Sequence, residues 1–133
     1  MSHYRKLQTT YTSRVFLREA LQAAGIPFEE ARPGQTLTVN GYAGQHHEAV
    51  FAVRRRDIGA SYGDFGWAWD GMRFVQIEDD LDANRARVQQ HLHSIKREYA
   101  YAATVAAARI KGYQTRRIDH GSGAIQVVVT GRI

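Results

Sequence analysis

The feature that most constrains the fold is one long run of helical periodicity between Asp82 and Lys111. Apolar residues recur there at steps of three and four, which places them on one face of a 3.6-residue helix. They are Val88, Leu92, Ile95, Tyr99, Ala102, Ala106 and Ile110, with Val105 widening the same face. Asp82 or Asn84 can cap the start of this helix, and Gly112 marks its end. The pattern predicts a helix about 45 Å long against which the rest of the chain packs.

The segments around this helix predict a second helix and a series of short strands. A half-buried strand is expected over 3–10, and a helix with one apolar face is expected from Ser13, its cap, to Gly25. Further β-prone segments lie at 26–40, 49–54, 65–77 and 113–130. The last of these predicts a hairpin, with strands at 113–119 and 124–130 joined by the glycine-containing loop 120–123. We therefore predict an α+β fold in one domain, residues 1–133. It has a mostly antiparallel sheet of about six to eight short strands, with a short N-terminal and a long C-terminal helix packed on one face.

One hairpin is predicted in detail. Asp70-Gly71 is the two-residue signal of a type I′ turn, whose twist matches that of the flanking strands. With that turn, Trp69 lies opposite Met72. Trp67 then lies opposite Phe74, and all four side chains share one face. The pattern places both tryptophans in the core rather than in a ligand site.

A polar loop is expected from Arg54 onward. Three consecutive arginines and Asp57 are followed there by glycines at 59, 63 and 66. Segments of this composition run over the surface and are more mobile than the elements they connect. The sequence therefore predicts that this loop is the most mobile segment of the protein.

Composition excludes several classes of function. The chain has no cysteine, which excludes a disulfide framework, a Cys-based metal site and a Cys nucleophile. It has neither a stretch of ~18 consecutive apolar residues nor an N-terminal signal region, so we expect a cytoplasmic protein, or a stromal one if the source has plastids. The 18 basic and 13 acidic residues give a net charge of +5, which permits an anionic partner.

The sequence contains no convincing catalytic signature. It has no nucleophile elbow, no phosphate-binding loop and no dinucleotide fingerprint, so we predict a non-enzymatic protein without a cofactor. One remote alternative is a metal-dependent hydrolase. Asp79, Asp80 and Asp82 supply the oxygen ligands that a hard cation such as Mg²⁺ prefers. The same residues also suit the N-terminus of a helix.

Two surfaces are candidates for binding. Gly41 to Gln45 forms a tight turn with glycines at Gly41 and Gly44, and Tyr42 on this turn is available to anchor a protein partner. The alternative is a nucleic acid, because an arginine-rich surface can contact phosphates if folding assembles it. The arginines concerned are Arg54, Arg55, Arg56, Arg116 and Arg117.

Several short motifs follow one another in a recognisable order. They are Met1-Ser2-His3-Tyr4, Leu17 to Gly25, Val39 to Gln45, Asp57-Ile58-Gly59, Phe65-Gly66-Trp67 to Asp82, Ile95 to Ala100, Ala107 to Tyr113 and Gly123 to Val129. Together they resemble the uncharacterised hypothetical plastid reading frame family number thirty-five, found in algal plastids and cyanobacteria and also described as domain of unknown function twelve fifty-seven. The resemblance covers nearly the whole chain, and only the length of the loop from Arg55 to Asp64 departs from it.

The resemblance implies a compact α+β domain and carries no established reaction, cofactor or catalytic residue. Genes of that family lie near genes for an AAA-type ATPase or a ferredoxin-like protein, which implies an accessory role. Our leading prediction is therefore a small accessory or adaptor protein that binds another protein, with an AAA-type ATPase or a redox protein as partner.

Overall fold

The computed structural model describes residues 2–132, and the side chains of residues 2–131, so that Met1 and Ile133 of the predicted domain lie outside it. In chain order the elements are β1 (Tyr4–Gln8), α1 (Arg14–Ala23), β2 (Glu29–Glu30), β3 (Leu37–Asn40), β4 (His46–Ala49), β5 (Phe51–Val53), α2 (Arg55–Ile58), β6 (Phe65–Trp69), β7 (Phe74–Asp79), α3 (Ala86–Ile110), β8 (Tyr113–Asp119) and β9 (Ile125–Arg132). Single 3₁₀ turns lie at Tyr42–Gly44 and Asp82–Asn84. The predicted α+β class is confirmed.

The strands form three separate sheets, and every strand pairing in the described residues is antiparallel. Five strands make the main sheet in the order β1-β7-β6-β5-β2. The hairpins β3–β4 and β8–β9 are two-stranded sheets of their own. The predicted single sheet is therefore divided, because one hairpin packs on the main sheet and the other on a helix rather than extending its edge.

Helices α1 and α3 pack on one face of the main sheet, as predicted. The buried side chains of this layer include Leu17, Leu21, Phe51, Phe65, Trp67, Phe74, Val88 and Ile95. Burying a side chain of this size contributes about 1.5–3 kcal/mol relative to leaving it exposed. Helix α1 begins as predicted, because the Ser13 hydroxyl accepts a hydrogen bond from the Phe16 N–H. The packing of this layer fixes the positions of α1 and α3.

The long helix begins later than predicted. Its N-cap is Arg85, three residues after Asp82 and one after Asn84, and the Arg85 side chain makes no capping hydrogen bond. The prediction that Asp82 or Asn84 caps α3 is wrong, because Asp82 is completely buried and binds a different segment. The end is as predicted, with Gly112 in the left-handed conformation at φ +78°. No helix in residues 2–132 is long and apolar enough to cross a bilayer.

Hairpin β3–β4 covers the opposite face of the main sheet. Val39 and Ala49 are buried there in a second cluster that includes Ile77 of β7. A Cβ atom at Gly66 would lie 3.1 Å from the side chains of both Val39 and Ala49, so the missing side chain lets the hairpin approach the sheet closely. The segment predicted as one strand over 49–54 is thus divided, because the chain crosses from this hairpin into the main sheet.

The predicted register of the β6–β7 hairpin is wrong. Trp69 pairs with Phe74 rather than with Met72, and the turn runs from Asp70 to Arg73. The Asp70 carboxylate accepts hydrogen bonds from the N–H groups of Met72 and Arg73, both at 2.8 Å. A side chain that binds its own backbone in this way stabilises a longer turn than the two-residue type. The aspartate stabilises this turn through its side chain, and Gly71 supplies the left-handed residue at φ +102°.

Candidate partner-binding surface

Tyr42 is the most exposed member of a group of three side chains that contact one another in sequence. Tyr42 is 53% exposed. Its ring contacts the ring of Tyr62 edge-on, and the two ring centroids are 5.8 Å apart. The guanidinium carbon of Arg85 lies 5.7 Å from the Tyr62 centroid. Edge-to-face and cation–π contacts of this kind each contribute about 0.5–1.5 kcal/mol. We call Tyr42, Tyr62 and Arg85 the tyrosine–arginine surface.

The turn that carries Tyr42 is fixed by its neighbours. The Gly41 N–H donates to the Gln45 carbonyl at 2.7 Å, and the Gln45 side chain accepts from the Tyr4 N–H at 3.0 Å. A Cβ atom at Gly41 would lie 2.6 Å from the Tyr4 ring. Gly44 has φ +80°, a conformation that favours glycine. Gly41, Gly44 and Gln45, predicted to bind a partner, are therefore placed where they hold Tyr42 in position.

Asp82 fixes the loop that carries Tyr62. This fully buried carboxylate accepts hydrogen bonds from three consecutive backbone N–H groups and from the Arg85 side chain. The N–H donors are Ser61 at 2.8 Å and Tyr62 and Gly63 at 2.9 Å each, and the Arg85 Nε donates at 2.9 Å. Hydrogen bonds to a charged acceptor are among the strongest in proteins. One carboxylate therefore positions two members of the tyrosine–arginine surface.

Asp64 connects hairpin β3–β4 to helix α2. Its carboxylate accepts from the N–H groups of Asn40 at 3.1 Å and Arg55 at 3.0 Å, and from the Arg54 side chain at 3.1 Å. The Tyr4 hydroxyl donates to the Asp64 carbonyl at 2.6 Å. Burial, and then the charge of Asp64, raise the pKa of Tyr4 well above its usual value. The hydroxyl is therefore kept protonated as a donor.

The predicted polar loop after Arg54 contains helix α2 instead. Ile58 is completely buried, and Gly59 ends the helix with φ +85°. A Cβ atom at Gly59 would lie 2.6 Å from the Arg87 side chain, so this end of α2 packs closely on α3. The prediction of an irregular loop at this point is wrong, because one buried isoleucine and the Asp64 hydrogen bonds anchor the segment.

Arg54, Arg55 and Arg56 differ in how free they are to bind a phosphate. Arg54 donates to Glu29 at 2.6 Å and to Asp64 at 3.1 Å, and the bond to Glu29 raises the pKa of Arg54. Arg55 lies 3.6 Å from the same Asp64 carboxylate, with its side chain 42% exposed. Arg56 is 86% exposed. Only the last two present substantial positive charge to solvent.

Arg116 and Arg117 lie on strand β8, away from the other three arginines. Arg117 forms a two-pronged pair with Glu98, at 2.7 Å for both bonds, and a further bond to Asp119 at 2.8 Å. Its guanidinium carbon also lies 4.6 Å from the Tyr101 centroid. Along α3, this pair is about 16 Å from the position where α2 packs. The five arginines therefore belong to two separate regions.

The acidic residues Asp79, Asp80 and Asp82 bind backbone groups in three different directions. Asp80 accepts from the His3 N–H at 2.8 Å, and this bond lowers the pKa of Asp80. Asp79 accepts from the Leu81 N–H at 2.9 Å. Within the described residues, no three His, Asp or Glu side chains are grouped so that they could hold a metal ion. The metal-dependent alternative therefore gains no geometric support.

A second exposed aromatic residue was not expected from the sequence. Trp67 is buried as predicted, but Trp69 is 47% exposed. Trp69, Val50 and Phe74 line a groove of about 470 Å³. Alternation along β6 puts both tryptophans on one face, but it does not show where the covering helices end. Because the turn begins at Asp70, Trp69 is the last residue of β6 and lies outside the core.

The elements and contacts above define a small α+β protein built from antiparallel sheets and packed helices. A family model described as Protein of unknown function (DUF1257) matches residues 20–128. The chain therefore belongs to this family, as the resemblance predicted. No curated protein and no solved structure is significantly similar to it.

Proposed function

We propose that this protein is an accessory or adaptor protein that binds another protein through the tyrosine–arginine surface. The observation that carries the proposal is the exposed Tyr42 ring on a turn held by hydrogen bonds of Gln45 with Gly41 and Tyr4. Tyrosine and arginine are enriched among the residues that dominate binding energy. A surface that is already ordered loses less conformational entropy when a partner binds.

The charge around this surface supports a particular chemistry for the partner. Arg55, which donates to the Asn40 carbonyl next to the turn, and Arg85 have side chains that are 42% and 40% exposed. Complementary charge steers association and fixes orientation. We therefore propose a partner with an acidic rim around an apolar pocket that accepts the Tyr42 ring. An AAA-type ATPase or a redox protein is the class that the family resemblance favours.

The test is the substitution Tyr42→Ala. The tagged protein is used to capture partners from a lysate of its native host, and the affinity of the purified partner is then measured. Loss of the ring should weaken binding at least about tenfold, because residues at binding hot spots cost more than about 1.4 kcal/mol when truncated. Met72→Ala is the matched control, since Met72 is 73% exposed on a different hairpin. Equal affinities for wild-type protein and Tyr42→Ala would contradict the proposal.

A nucleic acid is the alternative occupant, and the arginine contacts favour it less. Arg54 and Arg117 each pair with two carboxylates, so they neutralise fewer phosphates than an unpaired cation does. The same capture experiment distinguishes the two cases. A protein partner survives nuclease treatment, whereas a nucleic acid is lost and its binding falls steeply with salt.

A further inference from the structure

The β8–β9 hairpin has two edges that pair with no other strand in residues 2–132, and these edges differ in charge. Strand β8 carries Arg116, Arg117 and Asp119. Charged residues of this kind protect an edge strand from pairing with another chain. Residues 125–131 of β9 include neither a charged residue nor a proline, three are consecutive valines, and the strand's charge is confined to its last residue, Arg132. Over residues 125–131 the free edge of β9 is therefore unprotected.

Strand β9 also lies on the open side of helix α3. Strand β8 lines a groove together with both α1 and α3, so β8 is the strand nearer to α1. On the β9 side, Ile125 and Val127 lie beside Ala100 and Thr104 of α3, and only a shallow groove separates them. Val129 in the same strand is 48% exposed. Arg97 and Tyr101 of α3 complete the lining of this groove, and no other strand pairs with β9 on this side in residues 2–132.

We propose that the free edge of β9 binds the β9 strand of a second copy of this chain. The sequence is self-complementary in an antiparallel pairing centred on Val128. In that register Val127 faces Val129 of the second copy, and Val128 faces its own equivalent. Gln126 then faces Thr130. Apolar residues meet apolar residues and polar residues meet polar residues, which is the pattern that stabilises cross-strand pairs.

The symmetry of this pairing limits the assembly to two copies. Each β9 strand uses its only free edge, so the contact is closed and does not propagate into a filament. The two hairpins become one four-stranded sheet, with an α3 helix from each copy on the same face. A two-stranded sheet is only marginally stable by itself, and the added strands supply the missing backbone hydrogen bonds.

The test measures dimerisation by sedimentation and introduces charged residues at the predicted contact by substitution. At about 100 µM, a concentration that detects even weak pairing, the wild-type protein should sediment as a dimer of the 15.0 kDa chain. The double variant Q126K/T130K places lysines opposite lysines at both exposed pairs. It should raise the dimer dissociation constant about tenfold, since directly opposed like charges destabilise a strand pair. Q126E/T130E should do the same.

Mixing the two double variants should restore the dimer, because each lysine then faces a glutamate. Gln114→Lys is the matched control on the β8 edge, and it should leave the dimer unchanged. Circular dichroism checks that each variant is folded. A wild-type protein that stays monomeric would overturn the proposal. A dimer that neither double variant weakens, or one that mixing fails to restore, would also overturn it.

Discussion

The two hairpins outside the main sheet have the same secondary structure and opposite environments. Hairpin β3–β4 packs on the sheet, with Val39 and Ala49 completely or almost completely buried. Hairpin β8–β9 lies on helix α3, and its Val129 is 48% exposed. The first presents one aromatic side chain on a fixed turn, whereas the second presents a free backbone edge. Packing therefore decides what each hairpin exposes to solvent.

The polar interactions around the two hairpins also differ. Around β3–β4, the carboxylates of Asp64 and Asp82 are buried and accept hydrogen bonds from backbone N–H groups. Around β8–β9, Arg117 pairs with Asp119, whose side chain is 65% exposed, and with Glu98. The exposed pair with Asp119 contributes little, because water screens it, so the two-pronged pair with the largely buried Glu98 is the main ionic link of this hairpin to α3. With Val39 and Ala49 also buried, the first hairpin should be harder to displace than the second.

The largest effect is expected for Asp82→Ala. This substitution removes one carboxylate and leaves three backbone N–H groups and Arg85 without their acceptor. The free energy of unfolding, measured with urea, should fall by about 3 kcal/mol or more. Asp119→Ala in the second hairpin should change it by less than about 0.5 kcal/mol.

If Asp82→Ala does not fold, Asp82→Asn is measured instead, because asparagine keeps the shape of the aspartate side chain. It retains one acceptor oxygen and should lose about 2 kcal/mol. Equal losses for the substitutions at Asp82 and Asp119 would contradict the contrast between the two hairpins.

A smaller difference is expected between the two turns. Gly41→Ala in the first turn puts a methyl group 2.6 Å from the Tyr4 ring, so the free energy of unfolding should fall by about 1–3 kcal/mol. Gly121→Ala in the turn of the second hairpin meets no atom within 4 Å and should have little effect. Thermal melts of the two variants check this directly. Similar melting temperatures would show that the Tyr4 ring moves aside at no cost.

The smallest effect on the free energy of unfolding is expected from the ionisation of Tyr4 at alkaline pH. Its pKa is raised in the folded protein, so its contribution to stability is complete below the unfolded pKa of about 10 and is lost as the pH rises above it. Between about pH 9 and 11 the wild-type free energy of unfolding should fall by about 1.4 kcal/mol from this group.

Tyr4→Phe removes that pH dependence. At pH 7 it should cost about 1 kcal/mol, because the hydrogen bond to the Asp64 carbonyl is lost. Urea titrations of both proteins across this pH range give the comparison. Parallel pH profiles for the wild-type protein and the variant would contradict the assignment to Tyr4.

The sequence predicted an element correctly where residues that are close together in the chain determine its structure. Ser13 and the apolar face behind it predicted α1, and Gly112 predicted the end of α3. The β8–β9 hairpin was also placed correctly, because its strands and turn are adjacent in sequence. Trp67 was predicted to be buried and is. For α1 and the end of α3, the deciding contacts lie within a few residues.

The prediction failed where a side chain binds a distant segment. Asp82 has the residue type and position of a helix cap, and its true donors lie 19 to 21 residues earlier. Asp64 likewise receives the N–H of Asn40, 24 residues away. Such partners leave no periodic pattern in the sequence. Neither the order of loop 59–64 nor the surface formed by Tyr42 and Tyr62 could be predicted from residue spacing.

The sequence by itself determined the α+β class, the short helix α1, the long helix α3, the final hairpin and the presence of Tyr42 on a glycine-flanked turn. Only the tertiary structure decided that Tyr42 meets Tyr62, that Trp69 lies outside the core and that the sheet divides into three. The physical reason is the range of the interactions. Helix periodicity and turn chemistry act over a few residues, whereas buried carboxylates and packed layers join segments that are remote in the chain.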